Sequence, residues 1–219
     1  MACPFKTKQP RWERRKDARP QELLSAALDL FVERGYAATR LDDVATMAGV
    51  SKGTLYLYFT SKEDLFKAVV RENVVPVIGE AEQTIAGFQG SSADLFRHLM
   101  LGWWERIGNT KLAGISKLML AESGNFPDLA LFYHEEVIRR GDALIVQMLE
   151  RGVARGEFRA VDAKAMTNVI VAPVLMLVVW KHSFGACHGA SIDPKRYLDN
   201  FIDLCLRGLM RDPPAEAHT

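Results

Sequence analysis

Cysteine is scarce in this chain: 3 among 219 residues, at positions 3, 187 and 205. The number is odd and no two stand at the short spacing of a zinc pair, so neither a disulfide scaffold nor a thiolate metal site is expected. Catalytic motifs are missing as well. There is no glycine-rich nucleotide loop and no nucleophile elbow. Glu105, Glu122, Glu135 and Glu136 lack the Glu-x-x-His partners of a helical di-iron bundle. Enzymatic activity, metals and cofactors are therefore not expected. Long apolar runs are absent too: the longest, 169–180, has twelve residues, where a bilayer needs about twenty. It reads as a buried helix segment. Basic residues continue through Arg19 with no apolar core behind them, unlike a secretory signal. A cytoplasmic protein with no membrane partner follows as the expectation.

Net charge is also small, +1 overall, but it is unevenly placed. Residues 1–20 carry Lys6, Lys8, Arg11, Arg14, Arg15, Lys16 and Arg19 against Glu13 and Asp17. Such an arm, 1–19, suits phosphate attraction or a minor groove, and equally a solubilising terminus. Residues 21–60 have only Arg34, Arg40 and Lys52 against Glu22, Asp29, Glu33, Asp42 and Asp43. Any nucleic-acid contact there must rely on helix-start amides, hydroxyls and a few placed cations.

The most telling stretch is 41–59, LDDVATMAGVSKGTLYLYF. Leu41, Val44, Ala45 and Ala48 recur three and four apart, as one face of a short helix does. Gly49 supplies a tight turn, Val50 anchors it, and Ser51 can cap a following helix. Helix, short glycine turn, helix is the grammar of a helix-turn-helix, whose second helix enters the major groove. Local propensity points elsewhere for 54–59, where TLYLYF alternates and is rich in β-formers. Before this stretch, Pro20 opens a helix carrying Leu23, Leu24, Ala27, Leu28, Leu30 and Phe31 on one stripe, and Gly35 ends it. After it, Ser61 and Asp64 form an acidic variant of a capping box.

In this order of features, residues 21–65 resemble the DNA-binding domain of the TetR/AcrR family of bacterial transcriptional regulators. The resemblance is dense over about a fifth of the chain and overrules the strand reading of 54–59. It implies an all-α fold: a three-helix DNA-binding domain with a helix-turn-helix, followed by a larger helical ligand-binding and dimerisation domain. The organisation implied is a basic arm over 1–19, a DNA-binding domain over 20–66, an effector and dimerisation domain over 67–211, and a flexible tail over 212–219. By resemblance, Thr39 at the start of the second helix touches the DNA backbone, with Arg40 beside it; Thr39 can otherwise cap that helix. Ser51, Lys52, Gly53 and Thr54 stand where the family faces the DNA. Lys52 suits guanine O6 or N7, and Thr54 a base methyl or a phosphate. Tyr56 and Tyr58 fit phosphate-side positions. Lys62 occupies a first helical turn, where a cation needs an anion nearby, and the family places a phosphate-contacting lysine there.

Downstream, helices are expected over 92–107, 111–123, 126–155, 162–184 and 194–210, with Ser91 or Ser92, Thr110, Asn125, Asp162 and Asp193 as caps. The 169–180 run is apolar nearly all round and needs cover on both sides, with Pro173 loosening it. By resemblance the helices near 162–184 and 194–210 pair with their copies in a homodimer, matching a palindromic double-stranded operator. Met100, Trp103, Trp104, Met119, Phe126, Phe132 and Trp180 form a candidate pocket lining, with His98 or His134 as polar handles; all are also ordinary core residues. The functional expectation is a repressor released by a small apolar or amphipathic effector. A constitutive DNA-binding regulator, or a helical interaction module without an operator, fits the same composition.

Overall fold

The computed structural model describes residues 19–184 and 192–211, so the tail, Cys3, Cys187 and all of the arm but Arg19 lie outside the described residues. Eleven α-helices are described, and the only β-type pairing among these residues is an isolated bridge between Phe158 and Met210. The chain is all-α.

Four helices make the first unit: α1 (Arg19–Arg34), α2 (Leu41–Met47), α3 (Lys52–Tyr56) and α4 (Lys62–Asn73). Gly35 ends α1 with φ +82°, and Gly49 makes the α2–α3 turn with φ +67°. These left-handed values strain any residue with a Cβ. Ser51 caps α3 and Ser61 caps α4, each accepting from the amide three residues on. Asp64 returns the favour one residue further back than a capping box does, accepting from the Thr60 amide at 2.9 Å. The 54–59 stretch is helix and turn, as the resemblance implies; burying Leu55 and Phe59 in the shared core outweighs its β propensity.

The second unit comprises α5 (Val75–Gly87), α6 (Ser92–Trp103), α7 (Ala113–Glu122), α8 (Pro127–Tyr133), α9 (Arg139–Ala154), α10 (Ala163–Val179) and α11 (Pro194–Leu209). The expected helices are all present, three of them carrying a π-helical turn: Trp104–Gly108 after α6, His134–Ile138 between α8 and α9, and Trp180–Phe184 after α10. Ser91, Asp162 and Asp193 cap as expected. Thr110 and Asn125 do not: Leu112 and Phe126 take those positions with no side-chain bond. Thr110 Oγ1 instead accepts from the Leu112 amide at 3.2 Å, inside the turn.

The units are not packed as separate cores. One cluster joins Leu23, Phe31, Leu55 and Phe66 of the first four helices to Ile115, Leu118 and Met119 of α7 and to Leu129 and Tyr133 of α8. A second unites α6, α9, α10 and α11 through Phe96, Met148, Ile170 and Phe201. The 66/67 boundary expected from sequence falls within α4, the last helix of the first unit. Arg151 fixes the α5–α6 turn, donating to Ser92 Oγ at 2.8 Å and to the Phe88 and Gly90 carbonyls at 3.1 and 2.8 Å.

With its π-helical end, α10 forms a continuous helix of 22 residues, Ala163–Phe184, long and apolar enough by length and composition to cross a membrane. The helix agrees with the expected 162–184; it outruns the twelve-residue apolar run because small and polar residues on either side extend it. Only 28% of its most apolar window is buried in the protomer. Ile170, Val174, Leu177 and Val178 are buried, while Val169 and Met176 are 62% and 56% exposed. Pro173 stays within the helix, and its carbonyl accepts from the Tyr197 hydroxyl of α11 at 2.9 Å.

Candidate DNA-facing surface and internal cavity

On the outer face of the first unit, α2 and α3 present a compact polar set. The Lys52 ammonium sits 2.8 and 2.9 Å from the Asp42 carboxylate oxygens, which hold its pKa above the ordinary lysine value. Ser51 Oγ accepts from the Thr54 amide and lies 2.8 Å from Thr54 Oγ1, so cap and candidate base contact form one pair. Gly53 is exposed and a Cβ there meets only Ser51 Oγ, at 3.9 Å; the protein itself leaves room for a side chain. Tyr56 and Tyr58 are exposed beside Leu57, which is 82% exposed. Leu57 was not singled out in the sequence because leucine on an amphipathic helix reads as core. Arg40 is exposed at the start of α2 and caps nothing with its side chain.

Two residues are engaged otherwise than the sequence suggested. Thr39 is 1% exposed, and its hydroxyl lies 2.7 Å from the Gly35 carbonyl and 3.1 Å from the Leu30 carbonyl. It closes the end of α1 from inside, and Arg40 is the N-cap residue of α2. Lys62 donates to the Tyr36 carbonyl at 2.8 Å and the Ala37 carbonyl at 3.1 Å, with its ammonium 4.5 Å from the Tyr36 ring centre. The partner that a first-turn cation needs is thus this pair of carbonyls. Burial lowers the Lys62 pKa, and Glu122 opposes that shift.

The same corner ties the two units together. Tyr36 packs edge-on against Phe126, ring centres 4.7 Å apart, and against Phe66 at 5.6 Å. Burial, helped by Glu63, pushes the Tyr36 hydroxyl up to about 12. A Cβ at Gly114 of α7 would stand 2.5 Å from Val32 Cγ1 of α1, so these helices touch nearly backbone to side chain.

Behind that junction lies a cavity of about 380 Å³, within the range of small-molecule sites. Its walls come from α5, α6, α7, α8, α9 and α10 and are mainly apolar, among them Ile78, Leu99, Leu144 and Val174. Of the pocket residues expected from sequence, Met100, Trp103 and Met119 line it, as does His98. The others do not. Trp104 packs with Ala113, Leu177 and Leu198. Phe126 belongs to the Tyr36 cluster, and Phe132 lies beneath Lys67 and Arg71. His134 points to Glu135 at the surface, and Trp180 packs against Phe184. Aromatic residues at helical spacing mark a buried face but not which neighbour it meets. Thr84, Arg106, Ser116, Ser123, Tyr133 and Asp142, missed as lining, are the polar groups that the geometry adds.

Residues 23–69 match the family described as bacterial regulatory proteins, tetR family, and residues 89–184 match the tetracyclin repressor-like C-terminal domain. The HTH-type transcriptional repressor KstR2 of Mycolicibacterium smegmatis is 30% identical over 143 residues, 65% of this chain and 68% of that protein. The HTH-type transcriptional activator FasR of the same organism is 41% identical over 70 residues, and the chain spans 32% of its length. Among solved structures, the transcriptional regulator FadR from Bacillus subtilis in complex with stearoyl-CoA superposes with a TM-score of 0.73 at 21% identity, over 86% of this chain and 98% of that one.

Proposed function

The chain belongs to the tetR family of bacterial regulatory proteins; from that premise we propose that it is a sequence-specific DNA-binding regulator, a homodimeric repressor released from a palindromic operator by a small apolar or amphipathic ligand. The observation that carries this reading is the cavity behind the α7–α8 corner. Met119 lines the cavity and also belongs to the core that the corner shares with the DNA-facing helices. A ligand that repacks this wall therefore acts on the seat of α1 and α4. Release requires the ligand to favour the non-operator geometry: a 100-fold preference is about 2.8 kcal/mol. The B. subtilis FadR solved with stearoyl-CoA supports an amphipathic class through fold likeness.

We place the reading head at 20–66 and the effector and dimerisation body at 67–211, joined through α4. Lys52 and Thr54 face base edges, Gly53 permits close backbone approach, and Ser51, Tyr56, Tyr58 and Arg40 face the phosphates. Leu57 offers an apolar surface to a thymine methyl. Dimerisation falls to α10 and α11, whose exposed Val169, Met176 and Leu204 form an uncovered apolar surface on the protomer. A dimer built on this surface has no need of a membrane, and the cytoplasm is where its DNA lies.

Selection from random duplexes at fixed salt tests the reading. The expected product is an inverted repeat with half-sites about one helical turn apart, or a multiple of it. Lys52→Ala is expected to change base preference at one position per half-site, by about 1–3 kcal/mol for a bidentate contact. Recovery of sequence-independent, salt-sensitive binding alone overturns it.

A further inference from the structure

Several of the cavity's polar groups are already engaged, the Ser123 hydroxyl is neutral, and one charged group has no hydrogen-bond or ion-pair partner among the described residues. Ser116 Oγ and the Tyr133 hydroxyl lie 3.0 Å apart and bond each other. Thr84 Oγ1 donates to the Glu80 carbonyl at 2.8 Å. Arg106, the only arginine or lysine in the lining, is at an exposed edge in an ion pair with Glu80. His98 is exposed and leans on the Phe88 ring. Asp142, in the first turn of α9, lines the cavity together with Ile138, Gly141 and Ile145, and its carboxylate makes no hydrogen bond or ion pair with another described residue.

That isolation is unusual. Asp142 is half-buried, and a carboxylate partly drawn out of water stays charged at some cost unless something compensates it. The surrounding cations do not. Arg139, on the same helix, bonds Glu135 at 2.9 Å, and Arg140 bonds Glu82 through both oxygens. Asp142 also lines a groove shared with Arg139 and Lys164 of α10, yet forms an ion pair with neither. His134 alone acts on it at a distance, lowering its pKa, while burial raises it by more.

We infer, resting on the effector reading above, that Asp142 is the headgroup-selecting residue of the cavity, and that the effector is an apolar body bearing a positively charged nitrogen. The apolar walls take the body, and the cation meets the one charged group in the lining that has no partner. Trp103, in the same lining, adds an aromatic face of the kind that attracts cations. An anionic headgroup fits less well: it must displace Glu80 from Arg106 and accept Asp142 as a like-charged neighbour in the same cavity.

Calorimetry with three probes of one chain length, decylammonium, decanol and decanoate, each below its micelle concentration, tests this on the full-length dimer. Decylammonium is expected to bind at least about tenfold tighter than decanol, with decanoate weakest. Asp142→Asn is expected to bring the cation-to-alcohol ratio close to one, and Asp142→Glu to restore most of it. The restored ratio separates a headgroup role from general damage to the fold. Decanoate ranking first, or an unchanged ratio in Asp142→Asn, overturns the inference. If decanol binds and weakens operator affinity in either case, the sensing function stands while the headgroup assignment falls. If none of the three binds, the sensing function fails and this inference with it.

Discussion

At the scale of single residues, the side chains nearest the DNA-facing surface divide by what already holds them. Lys52 is exposed and bridged only to Asp42, an exposed pair of the sort worth little on its own, so a guanine edge or phosphate can replace the partner at small cost. Lys62 is different, because two backbone carbonyls depend on it. Lys62→Ala is therefore expected to destabilise the reading head by about 1–3 kcal/mol. Operator affinity should fall for every sequence, with the salt dependence unchanged. Thermal denaturation together with binding at several salt concentrations checks this; a slope smaller by about one contact with no loss of stability returns Lys62 to the phosphates. Glu157 gives a pH signature. The Ser92 side chain and Arg155, bonded at 2.7 Å, hold its carboxyl down to about 2, and the Ser92 amide, donating at 2.6 Å, adds to them. A carboxyl depressed below its unfolded value of 4.5 adds stability above that pH and loses it as pH falls toward 2. Glu157→Gln is expected to lower stability at pH 7 by about 1 kcal/mol, and its denaturation midpoint should converge on wild type as pH falls through that window.

At the scale of elements, α7 links the cavity to the reading head. Its residues serve three neighbours: Met119 faces the cavity, Ile115 and Leu118 enter the core shared with the head, and Gly114 touches Val32 of α1. The small residue at 114 sets how close α1 and α7 come. Gly114→Ala is expected to cost about 1–3 kcal/mol, the usual range for overpacking a close contact, by forcing Val32 or the α1 backbone to shift. Because that shift moves the seat of the reading head, operator affinity should fall in the absence of any ligand. A crystal structure of the variant and its operator affinity check this; an unchanged α1–α7 separation with unchanged affinity contradicts it.

At the scale of the whole molecule, one side of the described residues carries an apolar surface. Val169 and Met176 of α10 and Leu204 of α11 are 62%, 56% and 72% exposed, on helices whose other faces are core. Such a surface is rarely left open to water, and in the proposed homodimer a second copy would cover it with the symmetry that a palindrome requires. Val169→Glu combined with Leu204→Glu is expected to yield a folded monomer in analytical ultracentrifugation at micromolar concentration, with operator affinity reduced by two orders of magnitude or more through lost bivalency. A dimer that persists unchanged moves the interface elsewhere.

The sequence by itself determined what depends on near neighbours in the chain. Gly35 and Gly49 at left-handed turns, Ser51 and Ser61 as caps, and the spacing of Leu41, Val44 and Ala45 need no distant partner to be legible, and they place the helix-turn-helix correctly. The long helices of the second unit were legible for the same reason, because three- and four-residue periodicity is local. The tertiary structure alone decided what depends on contacts across the fold. It turned Thr39 inward, bound Lys62 to carbonyls 25 and 26 residues away, and sent Phe126 to Tyr36 instead of the cavity. It also brought Asp142 to the wall of an apolar space where it makes no hydrogen bond or ion pair with another described residue. Periodicity tells which face of a helix is buried; only the packing of one helix against another tells what that face meets.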